Sequence, residues 1–262
     1  MVTIAVRAAR SAGNIITRHM DRLDTLTIES KGPNDFVSEV DRLAEQEIIA
    51  ILKKAFPQHS ILGEESGDQG DGDYQWIIDP LDGTTNFLHG VPHFAVSVAM
   101  RHKGRLEVGV IYDPVRQELW TASRGGGAQL DGRRIRVSQR QDLEGTLLGT
   151  GFPHRARQHT DAYLGMFKAL SAYATDIRRP GAAALDLAYV AAGRFDGFWE
   201  IGLAPWDMAA GLLLIQEAGG VVGDFTGGPG HFKSGNVVAG NPRIFSAMIR
   251  EIQPHCTPAL LK

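Results

Sequence analysis

A chain of 262 residues can form one large domain or two small ones, and 43% hydrophobic with 22% charged residues is ordinary for a soluble globular enzyme. A net charge of -3 and a pI near 6.3 argue against nucleic-acid binding by bulk electrostatics. The longest apolar runs, 182–192 and 209–215, are too short or interrupted to span a bilayer, and the single cysteine, Cys256, excludes an internal disulfide and fits a reducing compartment.

The first twenty residues hold Arg7, Arg10 and Arg18 and no acid, as a transit peptide would. Ile4, Ala8, Ala12, Ile15 and Ile16 recur at helical spacing, however, so the stretch is better read as a domain helix from Val2 to Met20. A short extended piece around 26–30 and a loop over 31–35 follow. Ser38 reads as an N-cap with Asp41 in capping-box position. The helix it opens carries Val40, Leu43, Ala44, Ile48, Ile51, Leu52 and Ala55 on one face and stops at Pro57.

Residues 60–66 form a short strand ending in Glu64 and Glu65, and 68–73 is a Gly/Asp-rich surface loop that fits no calcium-loop pattern. Trp76-Ile77-Ile78 reads as a buried strand reaching Asp79, and Pro80, which removes a ladder donor, is expected to end it. Asp82-Gly83-Thr84-Thr85-Asn86 then reads as a turn opening a short helix, with a second strand over 93–100. Residues 106–112 and 118–122 suggest antiparallel strands, and Leu130-Asp131-Gly132-Arg133 a hairpin turn.

The second half alternates strand and helix. Strands are expected at 147–150, 176–178, 195–201, 221–225 and 237–239, and helices at 161–173, 182–192, 208–218 and 242–250. Pro205-Trp206-Asp207 opens the third of these helices and Gly219-Gly220 closes it. Two halves, 1–140 and 141–262, within one compact unit follow from this division.

Two carboxylates, Asp79 and Asp82, thus emerge where a strand gives way to a helix, beside the backbone N–H groups of Gly83, Thr84 and Thr85. A cation site and an anion site sharing one loop point to metal-assisted phosphate chemistry. Taken alone, Asp82 is also explained as a helix cap, and so is Asp207. Glu64, Asp79, Asp82 and Asp207 together would make an all-oxygen cluster, which selects magnesium or manganese over zinc. The histidines offer no rival: His89 and His93 have helical metal spacing, but Pro92 between them would break the helix.

The run from Asp79 to Asn86, preceded by Glu64-Glu65-Ser66 and followed by Trp206-Asp207 through Gly219-Gly220, resembles the inositol monophosphatase family, bacterial members above all. Residues 31–37 and 181–186 also fit, so the likeness runs nearly end to end. It implies an α/β sugar-phosphatase fold, layered as a five-layer αβαβα sandwich. It further implies magnesium dependence, with manganese a substitute, lithium inhibition, a homodimer and a cytoplasmic location. By position, Glu64, Asp79, Asp82 and Asp207 match the metal carboxylates, and Leu81 the position lending a backbone carbonyl. Thr84 matches the hydroxyl that orients the attacking water with Glu64, and Asp41 the acid bonded to that threonine, a role that competes with capping. Asp82, Gly83, Thr84 and Thr85 would receive the phosphate, and Gly181, Ala183 and Glu200 the sugar hydroxyls. Arg178 is assigned to substrate, with Arg179 the alternative.

The expected reaction is hydrolysis of inositol 1-phosphate and related polyol phosphates by a metal-activated water, without a covalent intermediate. Fructose 1,6-bisphosphate and nucleotide 3'-phosphates are rival substrates. The resemblance also extends to bacterial members that act with the transcription machinery as ribosomal RNA antitermination factors, for which Arg133, Arg134, Arg136, Arg178 and Arg179 would supply a contact surface.

Overall fold

The computed structural model describes residues 1–25, 28–32 and 35–261. Leu26, Thr27, Pro33 and Asn34, part of the expected extended piece and loop, lie outside the described residues. The chain begins with α1 (Val2–His19), β1 (Ile28–Gly32), β2 (Asp35–Ser38) and α2 (Glu39–Ala55). Next come β3 (Ser60–Gly63), β4 (Gly67–Gln69), β5 (Tyr74–Asp82), α3 (Thr84–Leu88), β6 (Ala95–His102) and β7 (Arg105–Asp113). After β8 (Glu118–Ser123), β9 (Gly127–Leu130) and β10 (Arg133–Arg134), the chain enters β11 (Leu147–Thr150), α4 (Thr160–Ser171), β12 (Asp176–Arg178) and α5 (Ala183–Ala191). It ends with β13 (Gly197–Glu200), α6 (Pro205–Glu217), β14 (Val221–Gly223), α7 (His231–Ser234), β15 (Val237–Gly240) and α8 (Pro242–Ile252). Among the described residues, no helix is long and apolar enough to cross a membrane.

Besides the hairpin of β1 and β2, the described residues form two sheets. One has eight strands in the order β10-β9-β8-β7-β6-β5-β3-β4, and the other five in the order β12-β11-β13-β15-β14. Helices α1 and α2 cover the outer face of the first, α5 and α6 fill the space between the two, and α4 and α8 cover the outer face of the second. This is the expected αβαβα layering. Helix α6 is buried along its whole middle, Asp207 to Ile215, as a helix enclosed between two sheets must be.

Three outer-layer features follow directly from residue type. Helix α1 turns a stripe of small residues inward, Ala5, Ala8, Ala9 and Ala12 being fully buried, so it lies close on the sheet. Helix α2 has the predicted capping box, with Val40 N–H donating to Ser38 Oγ (3.2 Å) and Ser38 N–H to Asp41 Oδ2 (2.9 Å). The hairpin at Asp131-Gly132 has both central residues at positive φ, 49° and 76°.

One expectation fails at the centre. Pro80 does not end its strand: β5 continues through Asp82. Asp79 pairs with Ser97 and Asp82 with Ala95, so three steps on β5 face two on β6. Pro80 sits inside this bulge, where a missing ladder donor costs nothing. The bulge also has a directional effect. In a regular strand residues i and i+3 point to opposite faces, whereas the extra residue brings Asp79 and Asp82 to one side.

Strands β3 and β5 are parallel, as are β12, β11 and β13. Their carboxyl ends deliver Glu64, Asp79 to Asp82, Thr150-Gly151, Arg179 and Glu200 to one cavity, the place where α/β sheets commonly present ligand groups. Glycines let the middle layer close on this point. A Cβ on Gly109 of β7 would lie 2.8 Å from the Ala210 carbonyl oxygen of α6. Gly109→Val is therefore expected to push α6 from the sheet and destabilise the fold by about 1–3 kcal/mol, checked by urea denaturation. Unchanged stability would show that α6 does not depend on this close approach.

Candidate active site

The cavity encloses about 240 Å³ and is lined by Glu64, Asp79, Asp82, Asp186, Glu200 and Asp207, with Arg155, Arg179 and His154 among its other walls. Each acid is held by its own local device. Glu64 follows β3, where its N–H donates to the Ile78 carbonyl (3.1 Å) and continues the parallel ladder past Gly63. The turn after it is pinned by Glu45 of α2, whose carboxylate accepts from Glu65 N–H (3.0 Å) and Ser66 N–H (2.8 Å).

Asp79, 1% exposed, accepts from Leu81 N–H (3.1 Å) and hydrogen-bonds Glu64. Asp82 accepts from Ala184 N–H (2.7 Å) in the first turn of α5, which ties the loop of one sheet to a helix of the middle layer. Asp207, in the first turn of α6, accepts Ala204 N–H (2.7 Å) and Arg155 Nη1 (2.8 Å). Ser97, the partner of Asp79 across the sheet, donates to the Trp206 carbonyl (3.3 Å) and so holds the start of α6 against Asp79.

Asp41 uses different oxygens for the cap and for Thr84. Oδ2 accepts from Ser38 N–H and Ser38 Oγ, completing the cap, while Oδ1 lies 2.9 Å from Thr84 Oγ1. Thr84 Oγ1 is also 3.0 Å from the Leu81 carbonyl oxygen. A hydroxyl has one hydrogen and two lone pairs. With its hydrogen directed to either acceptor, Thr84 keeps a lone pair for a further donor. Gly83, at φ 96°, caps α3, and a Cβ there would come within 3.0 Å of the His93 carbonyl oxygen. Thr85 lines the cavity on the same turn, and Asn86 Nδ2 donates to the carbonyls of His93 (2.8 Å) and Pro180 (2.9 Å), fixing the loop that carries Gly181 and Ala183.

The predicted site residues therefore meet, with one exception. Arg178 points away: it is exposed and paired with Asp176, two residues before it on the same face of β12. Arg179, the residue after β12, enters the cavity wall, its guanidinium carbon 4.9 Å over the Phe152 ring. Arg155, Glu45 and His154 have no place in the sequence reading, and Asp186 enters it only as the last residue of the matching stretch 181–186, with no role assigned. Glu45 and Asp186 carried a signal, an acid on an apolar helical face. Arg155 and His154 lie in the irregular segment after β11 and had none.

Electrostatics dominate this cavity. Burial raises Asp79 well above the ordinary carboxyl range, and the charges of Glu64, Asp82 and Asp207 add to the rise. Asp82 is raised by burial and by Asp207, against the lowering pull of Ala184 N–H and Arg155. Burial, then Glu200 and Asp82, raise Asp186. Two guanidinium groups face six carboxyls. Arg155 stands between Asp207 and Glu64, with Nη2 at 3.8 Å from Glu64 Oε1. Among the described residues no three acid or histidine side chains close around one point at ion-binding separation. The cavity nonetheless collects Glu64, Asp79, Asp82 and Asp207 with excess negative charge and oxygen donors only, and that donor set suits a hard divalent cation.

A profile of the inositol monophosphatase family matches residues 1–257. The chain belongs to the inositol monophosphatase family. It is 60% identical over 266 aligned positions to the Nus factor SuhB of Pseudomonas aeruginosa, covering 99% of this chain and 98% of that protein. Among solved structures, the extragenic suppressor protein suhB of Bartonella henselae matches with a TM-score of 0.93 and 47% identity, over 96% of this chain and 97% of that one. The inositol monophosphatase of Anabaena matches with a TM-score of 0.86 and 39% identity, over 97% and 95%. The family is generally metal-dependent.

The charge pattern predicts a pH response. Burial, then Asp207 and Asp82, push the Glu200 carboxyl up from 4.5 to about 8. A carboxyl that holds its proton more tightly folded than unfolded favours the folded state at low pH. That advantage disappears as pH rises from the unfolded value through the folded one. In a chelator, thermal stability is expected to fall between pH 4.5 and about 8, and less steeply in Glu200→Gln. Melting curves across that range check this, and a midpoint that rises between pH 7 and pH 8 would contradict it.

Proposed function

We propose that the protein hydrolyses inositol 1-phosphate and related polyol phosphates, with magnesium held by Glu64, Asp79, Asp82, Asp207 and the Leu81 carbonyl. The observation that carries this reading is the union, in one cavity, of an all-oxygen acidic cluster with the glycine-headed turn at 83–85. Family membership and likeness to solved inositol monophosphatases support it. The chemistry that a bound divalent cation supplies here is neutralisation of phosphoryl charge and acidification of water.

The chain's own groups do the rest. The backbone N–H groups of Gly83, Thr84 and Thr85 receive phosphate oxygens at the start of α3. Thr84, whose hydrogen is engaged by Asp41 or Leu81, accepts a hydrogen bond from the attacking water and fixes its direction. Glu64 orients that water together with Thr84; as the water oxygen bonds to phosphorus the ester P–O bond breaks, and the departing polyol oxygen takes up the proton that the water gives up. Gly181, Ala183 and Glu200 line the part of the cavity that takes the polyol, and Arg179 its rim. The protein acts in the cytoplasm as a homodimer.

Purified protein with magnesium is expected to release phosphate from inositol 1-phosphate faster than from fructose 1,6-bisphosphate or a nucleotide 3'-phosphate. No release from any of them would end the reading. Asp79→Asn should lower kcat by roughly 10²–10³-fold without lowering the melting temperature. Arg155→Gln should melt earlier than the parent in a chelator, because Glu64 and Asp207 lose their counter-charge, and magnesium should narrow the gap. A gap that magnesium leaves unchanged would separate Arg155 from the cation site.

A second role is favoured by the name shared by the Pseudomonas aeruginosa and Escherichia coli relatives, Nus factor SuhB, the latter 56% identical over 262 positions. In this role the protein also joins the transcription machinery through an exposed surface, to which Arg133, Arg134 and Arg136 contribute. Capture of transcription proteins by Asp79→Asn as strongly as by the parent is the expected result. Loss of capture on reversing the charge of these arginines would locate the surface.

A further inference from the structure

Asp186 is the one buried acid of the cavity to which the reaction above gives no task. It is 1% exposed, and its Oδ1 has no hydrogen-bond partner. Its position in the first turn of α5 is favourable for an acid, but a helix end compensates far less than desolvating a carboxyl costs. Its helix neighbours Ala184, Leu185, Leu187 and Ala188 are fully buried and apolar, so packing does not ask for a carboxyl. A buried oxygen left without a donor calls for an explanation, and in a cavity lined for a ligand a hydroxyl of that ligand supplies one.

The surroundings indicate what that is. Asp186 lines the cavity together with Glu200, itself only 6% exposed. The walls beside them are Gly151, Gly181, Ala182 and Ala183. A Cβ on Gly151 would collide with the Glu200 carboxyl, and Gly181 is held at φ 91°. The missing side chain of Gly151 thus makes room for the Glu200 carboxyl itself, and Asp186 lines the same cavity, on the side of Asp82 where Ala184 N–H reaches across.

We infer that Asp186 is a substrate-recognition residue: its Oδ1 accepts a hydrogen bond from a ring hydroxyl of the ester, next to the hydroxyl taken by Glu200. The substrate class this selects is a phosphate monoester of a polyol with two free neighbouring hydroxyls, over esters that carry none. The inference rests on the phosphatase reading for its reaction, but it can be tested by binding alone.

Two measurements on the full-length protein decide it. In the first, Asp186→Ala and Asp186→Asn are compared with the parent on inositol 1-phosphate and on p-nitrophenyl phosphate, with magnesium. The ratio of kcat/KM for the two esters is expected to fall roughly 10- to 100-fold in the alanine variant, and less in the asparagine variant, which keeps an acceptor. The alanine variant should also melt higher than the parent in a chelator, since an unpaired buried carboxyl has been removed. A lower melting temperature with an unchanged ratio would mean a structural role and overturn the assignment, as would an unchanged ratio alone.

In the second, calorimetric titration with inositol 1-phosphate, calcium replacing magnesium to prevent turnover, should show weaker binding to Asp186→Ala by a similar factor. If the parent hydrolyses neither ester, the phosphatase reading falls, and this titration alone judges Asp186. A parent that binds no inositol 1-phosphate overturns the inference whatever its activity.

Discussion

Like charges have to be kept together in this cavity, and much of the surrounding structure serves that end. Two unit charges 4 Å apart repel by about 4 kcal/mol at an effective dielectric near 20, and six carboxyls line one small cleft. The chain opposes this with three kinds of positive potential. Backbone N–H groups at the starts of α5 and α6 donate to Asp82 and Asp207. The Arg155 guanidinium bridges Asp207 and Glu64. Protons retained on buried carboxyls, which the upward shifts of Asp79, Asp82 and Asp186 express, supply the third. A cation with oxygen preference would do the work of all three.

Rigidity at the junction of the layers is what makes such a cluster possible. Asp79 and Asp82 belong to the eight-stranded sheet, Glu200 ends a strand of the five-stranded sheet, and Asp207 begins the helix between them. No single element could hold all four, since side chains on one strand alternate faces. The bulge at 79–82, the Ser97 bond to Trp206, and the backbone approach at Gly109 and Ala210 act on the same point from different directions. Displacing α6 would move Asp207 relative to a sheet that stays where it is.

What could be read in the sequence, and what could not, divides along the range of the interactions. Caps, hairpin turns and periodic helices are local: Ser38 with Asp41 and Asp131 with Gly132 are as expected, and the apolar face of α2 holds at Val40, Ala44, Ile48 and Leu52, whereas Leu43, expected on that face, is exposed. Pro80 misled because the rule against proline in a ladder assumes a regular ladder, and a bulge is visible only when the partner strand is known. Arg178 was preferred to its neighbour because alternation cannot be phased until a strand's inner face is fixed. Arg155 reaches Asp207 across 52 positions from a segment without periodicity, so nothing local marks it. Asp186 and Glu45 could have been found, because an acid on the apolar face of a helix conflicts with burial unless the fold or a ligand satisfies it.

The same reasoning bears on how one chain can resemble both enzymes and proteins named for transcription. Strand β10, with Arg133 and Arg134, forms one edge of the eight-stranded sheet, and β5 lies five strands in. At about 4.8 Å per strand that is a separation of roughly 24 Å, well beyond a Debye length at physiological salt. A partner bound at this edge would neither screen the carboxylate cluster nor require it. Selection on the surface and selection on the cavity can therefore proceed independently on one scaffold. What couples them is stability, because the unneutralised acids destabilise the fold to which both belong, and an ion that relieved their repulsion would stabilise that edge without touching it.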